Sequence, residues 1–239
     1  MSYQLFQGDC KELIRENKIV RADIVVTDPP YLNKEKPVKI RASKKALGVR
    51  SVVDSLTNPW GFDMEWVDSV ATIQPRQWVV FCNYQSIGET CMALKKYAHI
   101  SCIFTWLKRN SPNMSCPVPR MDCEFIVWAR SKDATCGRMR EFGSQVIDIP
   151  NLATGCCANK ERILIPGTKK AAHPCQKPLA LITPFIERLA EEGDIVFDPF
   201  MGTGTFGVAA LQLGFNFIGV DLSGEYFQMA EQRIKSEVV

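Results

Sequence analysis

An apolar run, Ala22-Asp23-Ile24-Val25-Val26-Thr27, stops at Asp28-Pro29-Pro30-Tyr31. The run reads as a buried strand, and two consecutive prolines cannot extend it. It therefore delivers a carboxylate, a rigid backbone carbonyl and an aromatic ring to one point at its carboxyl end. In open α/β sheets ligands bind along that edge. A flat base can stack on Tyr31 while its exocyclic amine donates to Asp28 and to the Pro29 carbonyl. The competing reading is a bare strand terminator, because Pro-Pro commonly marks a turn. The rest of the chain decides between the two.

Short apolar runs alternate with helical stretches, which argues for a sheet with flanking helices. The strands expected are Tyr3 to Phe6, Ile24 to Thr27, Gln77 to Cys82, Ile100 to Leu107, Cys123 to Ala129, Ile195 to Phe197 and Phe217 to Val220. Helices are expected over Cys10 to Asn17, Asp63 to Ile73, Ser86 to Tyr97, Pro178 to Glu191, Thr205 to Leu213 and Glu225 to Lys235. Residues 32–58 and 108–120 read as loops, and 131–172 as irregular. Long loops inside a compact domain are usually functional or disordered. The length suits a single domain over 1–239.

A second constellation, Asp198-Pro199-Phe200-Met201-Gly202-Thr203-Gly204-Thr205-Phe206-Gly207, follows a strand and opens a helix. Glycines at this spacing let a ligand approach the backbone, and the helix start offers unpaired amides. Asp221 ends the next strand, where a carboxylate can hold ribose hydroxyls. Together these point to an adenosine-type cofactor. A nicotinamide dinucleotide leaves Asp28 to Tyr31 without a job and sets Asp198 beside a pyrophosphate. S-adenosylmethionine has no phosphate to repel, and its ammonium and sulfonium tolerate Asp198 nearby. A third piece, His173-Pro174-Cys175-Gln176-Lys177-Pro178, is held stiff by two prolines, and Lys177 is expected to meet the cofactor carboxylate.

Charge narrows the partner. The formal net charge is only +3, but the cations cluster. Lys34, Lys36, Lys39, Arg41, Lys44 and Lys45 fill one loop, and Arg109 and Arg120 belong to a second basic stretch. The C-terminal fifty residues are acidic by contrast. One-sided basic loops fit a polyanion such as nucleic acid, and these eight residues are the expected DNA contacts. Ten cysteines are scattered without zinc-knuckle spacing, and only two histidines accompany them, so no metal site is expected. Cys156-Cys157 is the pair this reading explains least. No apolar run is long enough to span a bilayer and no secretory signal is visible, so a cytoplasmic protein is expected. A homodimer is compatible with the chain.

In their order, these three motifs resemble the β-group DNA amino-methyltransferases, which methylate adenine N6 or cytosine N4. The stretch from Asp198 to Leu222 is similar to phage and prophage members. The resemblance implies a Rossmann-like S-adenosylmethionine-dependent methyltransferase fold: a mixed seven-stranded sheet with one antiparallel edge strand and helices on both faces. It implies a catalytic half over 1–130, a cofactor half over 173–239, and target-recognition segments near 32–58 and 131–172. Asp28, Pro29, Pro30 and Tyr31 would be catalytic. Asp9, Lys177, Asp198, Phe200, Gly202, Gly204, Thr205 and Asp221 would bind cofactor. The target base would flip out of the duplex. An aspartate in the first motif position favours adenine, leaving N4-cytosine as the alternative and an RNA or protein amide as a more distant one. Two positions depart from the pattern: Cys175 stands where threonine is expected, and Phe206 where many relatives have threonine.

Overall fold

A computed structural model describes residues 1–31, 63–110, 122–152, 161–164 and 175–238. Eight strands form one sheet: β1 (Tyr3–Gln7), β2 (Ile24–Thr27), β3 (Gln77–Cys82), β4 (His99–Leu107), β5 (Cys123–Arg130), β6 (Val146–Asp148), β7 (Ile195–Asp198) and β8 (Asn216–Asp221). Their order is β1-β8-β7-β2-β3-β5-β4-β6. All run in one direction except β5, which is antiparallel to both β3 and β4.

Two expectations need correction. The sheet has eight strands rather than seven, because β6 pairs with β4 through Thr105, Trp106 and Leu107. This three-residue strand lies in a stretch read as irregular, and its alternating exposed and half-buried residues give too short a pattern to detect. The antiparallel strand is also interior, flanked by β3 and β4, while β1 and β6 form the edges. The interior position matters for the site, since β5 begins where its neighbours end.

Both faces of the sheet are covered. Along β2, Ile24 and Val26 point to one face and Val25 to the other, the period-two alternation of a strand. On one face lie α1 (Cys10–Arg15), α2 (Glu65–Ala71) and α3 (Ile87–Lys95), with Trp66, Val70, Leu94 and the strand residues Trp78 and Val80. On the other lie α4 (Leu179–Leu189), α5 (Thr205–Gln212) and α6 (Gly224–Val238), with Phe185, Ile186, Val208 and Ile234 against Phe81, Ile126 and Val196. The helix α4 shows the sequence logic plainly. Leu181, Ile182, Phe185, Ile186 and Leu189 recur at helical spacing and are all buried. Between β2 and β7 the connectivity changes direction, and such switch points open a crevice at the carboxyl ends of strands. Among the described residues no helix is long and apolar enough to cross a membrane.

Candidate active site

The crevice between β2 and β7 joins the first two motifs. Thr27, the last residue of β2, donates its hydroxyl to Asp198 Oδ1 at 2.6 Å, and the Phe200 amide donates to the same oxygen at 3.0 Å. Asp198 is fully buried, and its Oδ2 makes no hydrogen bond among the described residues. Burial pushes its carboxyl well above the ordinary range, and the nearby Asp28 and Asp221 charges add to that.

The chain then turns through the glycine loop into α5. Gly204 sits at φ +77°, in the left-handed region, and an added Cβ would lie 3.1 Å from Ala230 Cβ. Gly207, one turn into α5, allows the helix to lie against β8, because a Cβ there would meet Phe217 Cε1 at 2.5 Å. Thr205 is buried and accepts from Arg233 Nη1 of α6 at 2.8 Å. Asp221 closes the loop from the neighbouring strand. Its Oδ2 accepts from the Gly202 amide and its Oδ1 from the Ser223 amide, both at 2.8 Å. Burial raises the Asp221 carboxyl against these two bonds. Asp9 follows β1, beside β8, and caps α1 by accepting from the Lys11 amide at 2.8 Å. The Phe200 ring packs edge-on against Trp66, with centroids 5.4 Å apart.

Across the crevice lies a different kind of cluster. Lys177 forms an ion pair with Asp28 Oδ2 and lies 3.4 Å from Glu124 Oε2. The Tyr31 hydroxyl donates to that same Glu124 oxygen at 2.9 Å, and Lys108 Nζ donates to Glu124 Oε1 at 2.7 Å. The Lys177 side chain is only 5% exposed, and its ammonium lies 5.6 Å from the Tyr31 ring centroid, 5.7 Å from Phe81 and 6.0 Å from Trp106. Burial alone would lower its pKa, but the Asp28 and Glu124 carboxylates outweigh burial and hold it above the ordinary lysine value. For Glu124, burial would raise the carboxyl, yet Lys177 and Lys108 hold it down to about 2. Asp28 stays above its ordinary value, because burial exceeds the pull of Lys177. Its Oδ1 is buried and has no hydrogen-bond partner among the described residues.

Lys177 is thus placed on the Asp28 and Glu124 carboxylates, whereas the sequence suggested a cofactor carboxylate as its partner. Gln176 beside it is buried, and its amide brackets another segment, donating to the Glu161 carbonyl at 2.8 Å and accepting from the Ile163 amide at 3.1 Å. Arg109 is exposed and paired with Asp148. Lys34, Lys36, Lys39, Arg41, Lys44, Lys45, Arg120, His173, Cys156 and Cys157 lie outside the described residues.

Glu124 and Lys108 are the functional candidates that sequence reasoning missed. They reach the site because β5 runs backwards. Its start, at Cys123–Glu124, pairs with Trp106–Leu107 at the end of β4 and so sits at the ligand edge. The available signal was an ionisable residue at the lip of an apolar strand on each side. Among the described residues no group of three or more His, Cys, Asp or Glu side chains is arranged to hold a metal ion.

Comparison with known proteins gives the family and the fold. The family model described as DNA methylase matches residues 22–232. Type II methyltransferase M2.DpnII of Streptococcus pneumoniae is 29% identical over 253 residues, which cover 98% of this chain and 90% of that protein. The crystal structure of the M1.HpyAVI–SAM complex superposes with a TM-score of 0.65 at 27% identity, covering 97% of this chain and 98% of the other. The cytosine-N4-specific PvuII DNA methyltransferase shares the fold, with a TM-score of 0.68 at 16% identity over 98% of this chain and 86% of its own. The match spans both motif-bearing halves of the sheet and sets aside a dinucleotide oxidoreductase. The chain belongs to the N6/N4 DNA methylase family.

Proposed function

We propose that this protein methylates the N6 amine of adenine in DNA, acting on a base flipped out of the helix. The cofactor is S-adenosylmethionine, which when bound supplies an electrophilic methyl group on a cationic sulfur. The residues present suit it. Asp198 is a buried carboxylate and Asp221 a half-buried one, and no lysine or arginine pairs with either among the described residues, so a cationic ligand meets charge that the protein leaves unanswered.

The observation that carries the reading is the Thr27–Asp198 hydrogen bond, which brings the end of β2 and the glycine loop to one crevice. Asp221 accepts ribose hydroxyls, and Asp198 faces the cationic end of the cofactor. Asp28 and the Pro29 carbonyl accept the two amine hydrogens, which draws the nitrogen lone pair out of conjugation. Tyr31 stacks on the base. Catalysis is then positioning plus electrostatics, with no covalent intermediate on the protein. Asp28 is also the acceptor at hand for the proton that the methylated nitrogen must lose. The aspartate in the first motif position supports adenine over cytosine. The cations Lys34, Lys36, Lys39, Arg41, Lys44, Lys45 and Arg120, with exposed Arg109, supply phosphate contacts.

Transfer of labelled methyl groups to unmethylated genomic DNA, with nucleoside mass spectrometry, tests the proposal. N6-methyladenine is expected. N4-methylcytosine would overturn the base assignment, and an unlabelled DNA beside bound cofactor would overturn DNA as substrate.

A further inference from the structure

We infer that Glu124 is a positioning residue that receives the Lys177 ammonium when a substrate amine takes its place on Asp28. The inference rests on the reaction proposed above, and deepens it by asking how Asp28 becomes available.

As the structure stands, Lys177 occupies one Asp28 oxygen. A carboxylate already paired with an ammonium is a weaker acceptor for an amine N–H, because much of its charge is answered. Activating the amine therefore requires the cation to move. Water is not an available destination: the Lys177 side chain is buried and surrounded by the Tyr31, Phe81 and Trp106 rings. Glu124 is the second carboxylate within reach, 3.4 Å away, and Lys108 occupies its far oxygen. A short shift of the ammonium keeps it on a carboxylate throughout, and leaves Asp28 free of a cation so that the incoming amine hydrogen answers its charge.

The receiving oxygen is also the one that accepts the Tyr31 hydroxyl. An ammonium arriving there competes with the tyrosine for a shared acceptor. The position of the stacking ring is thereby coupled to the occupancy of Asp28. The four side chains Asp28, Lys177, Glu124 and Lys108 act as one balanced row, in which Lys108 keeps Glu124 ionised and ready.

The test is a double-mutant cycle read by single-turnover methyl transfer at saturating cofactor and DNA, with cofactor affinity and thermal unfolding measured on the same variants. Glu124→Gln should slow single-turnover transfer by about 10- to 100-fold while cofactor affinity changes by less than about 2-fold. Glu124→Asp, which keeps the charge, should recover part of the rate. In a Lys177→Met background Glu124→Gln should cost almost nothing more, because there is no cation left to receive. Multiplying costs, or an unchanged rate in folded Glu124→Gln, would overturn the inference. A Glu124→Gln protein that loses stability and rate together, with no recovery in Glu124→Asp, would also overturn it, by reducing Glu124 to a structural role. Failure of the underlying reaction shows separately, as a wild-type protein that labels no DNA amine at all.

Discussion

Two pairs of buried or half-buried carboxylates face each other across the crevice, and the protein treats them in opposite ways. Asp28 and Glu124 are interleaved with Lys177 and Lys108, so every charge has a partner. Asp198 and Asp221 are held by neutral donors: the Thr27 hydroxyl and the amides of Phe200, Gly202 and Ser223. A buried carboxylate with only neutral partners is costly, and the cost is recovered when a cation arrives. Under the proposed function, the self-neutralised side would take the neutral guest, a nucleobase. The unanswered side would take the cationic one, S-adenosylmethionine. This contrast separates the two subsites on charge alone.

The largest expected effect breaks the catalytic side without touching the other. Asp28→Ala should lower methyl transfer by about 10³-fold or more, since the main acceptor for the amine is removed. Cofactor affinity, measured by calorimetry, should stay nearly constant. Retained transfer would remove Asp28 from the mechanism. Next comes the cationic guest. Asp198→Asn preserves the shape and should weaken cofactor binding by about 10- to 100-fold, the loss of one close charge interaction in a buried site. The same change should raise the melting temperature of the ligand-free protein, because an uncompensated buried charge disappears. A variant that binds as tightly as wild type would dissolve the contrast. Asp221→Ala should weaken the cofactor by about 10-fold, and it should also destabilise the protein by about 1–3 kcal/mol, because the Gly202 and Ser223 amides lose their acceptor. Unchanged affinity would refute the ribose role.

The geometry of the glycine-loop side was readable in the sequence because its determinants are local. Asp198, Gly202, Gly204 and Thr205 follow one strand and open one helix, and Asp221 ends the next strand in the chain. Even the α5–β8 contact through Gly207 follows from glycine spacing. The Asp28 side was readable only in part. Asp28 and Tyr31 sit in one tetrapeptide, but Lys177 and Glu124 come from far along the chain and meet it through sheet order. Nothing in the spacing of Glu124 reveals that β5 runs antiparallel inside the sheet. The Lys177–Asp28 pair was illegible for the same reason: the Lys177 motif lies next to the glycine loop in sequence, but its ammonium meets the end of β2 in space. The strand β6 was missed because three residues carry too little pattern.

The smallest expected effect gives the contrast a sign. Glu124 is held down to about 2 by Lys177 and Lys108 despite its burial. A carboxyl depressed in the folded state contributes stability that is fully present above its unfolded value and is lost as the pH falls through the folded one. The stability gap between wild type and Glu124→Gln should therefore be widest near neutrality. It should narrow as the pH drops below about 4, where the unfolded glutamate protonates first. Asp198 has the opposite sign. Its carboxyl is raised in the folded state, so its ionisation costs stability as the pH climbs above the ordinary aspartate range. The advantage of Asp198→Asn over wild type should grow with pH, not shrink. Chemical unfolding of the ligand-free proteins across this range should give two difference curves of opposite slope. Parallel slopes would mean that both carboxylates meet the same electrostatic surroundings, and the assignment of base and cofactor to separate subsites would lose its physical basis.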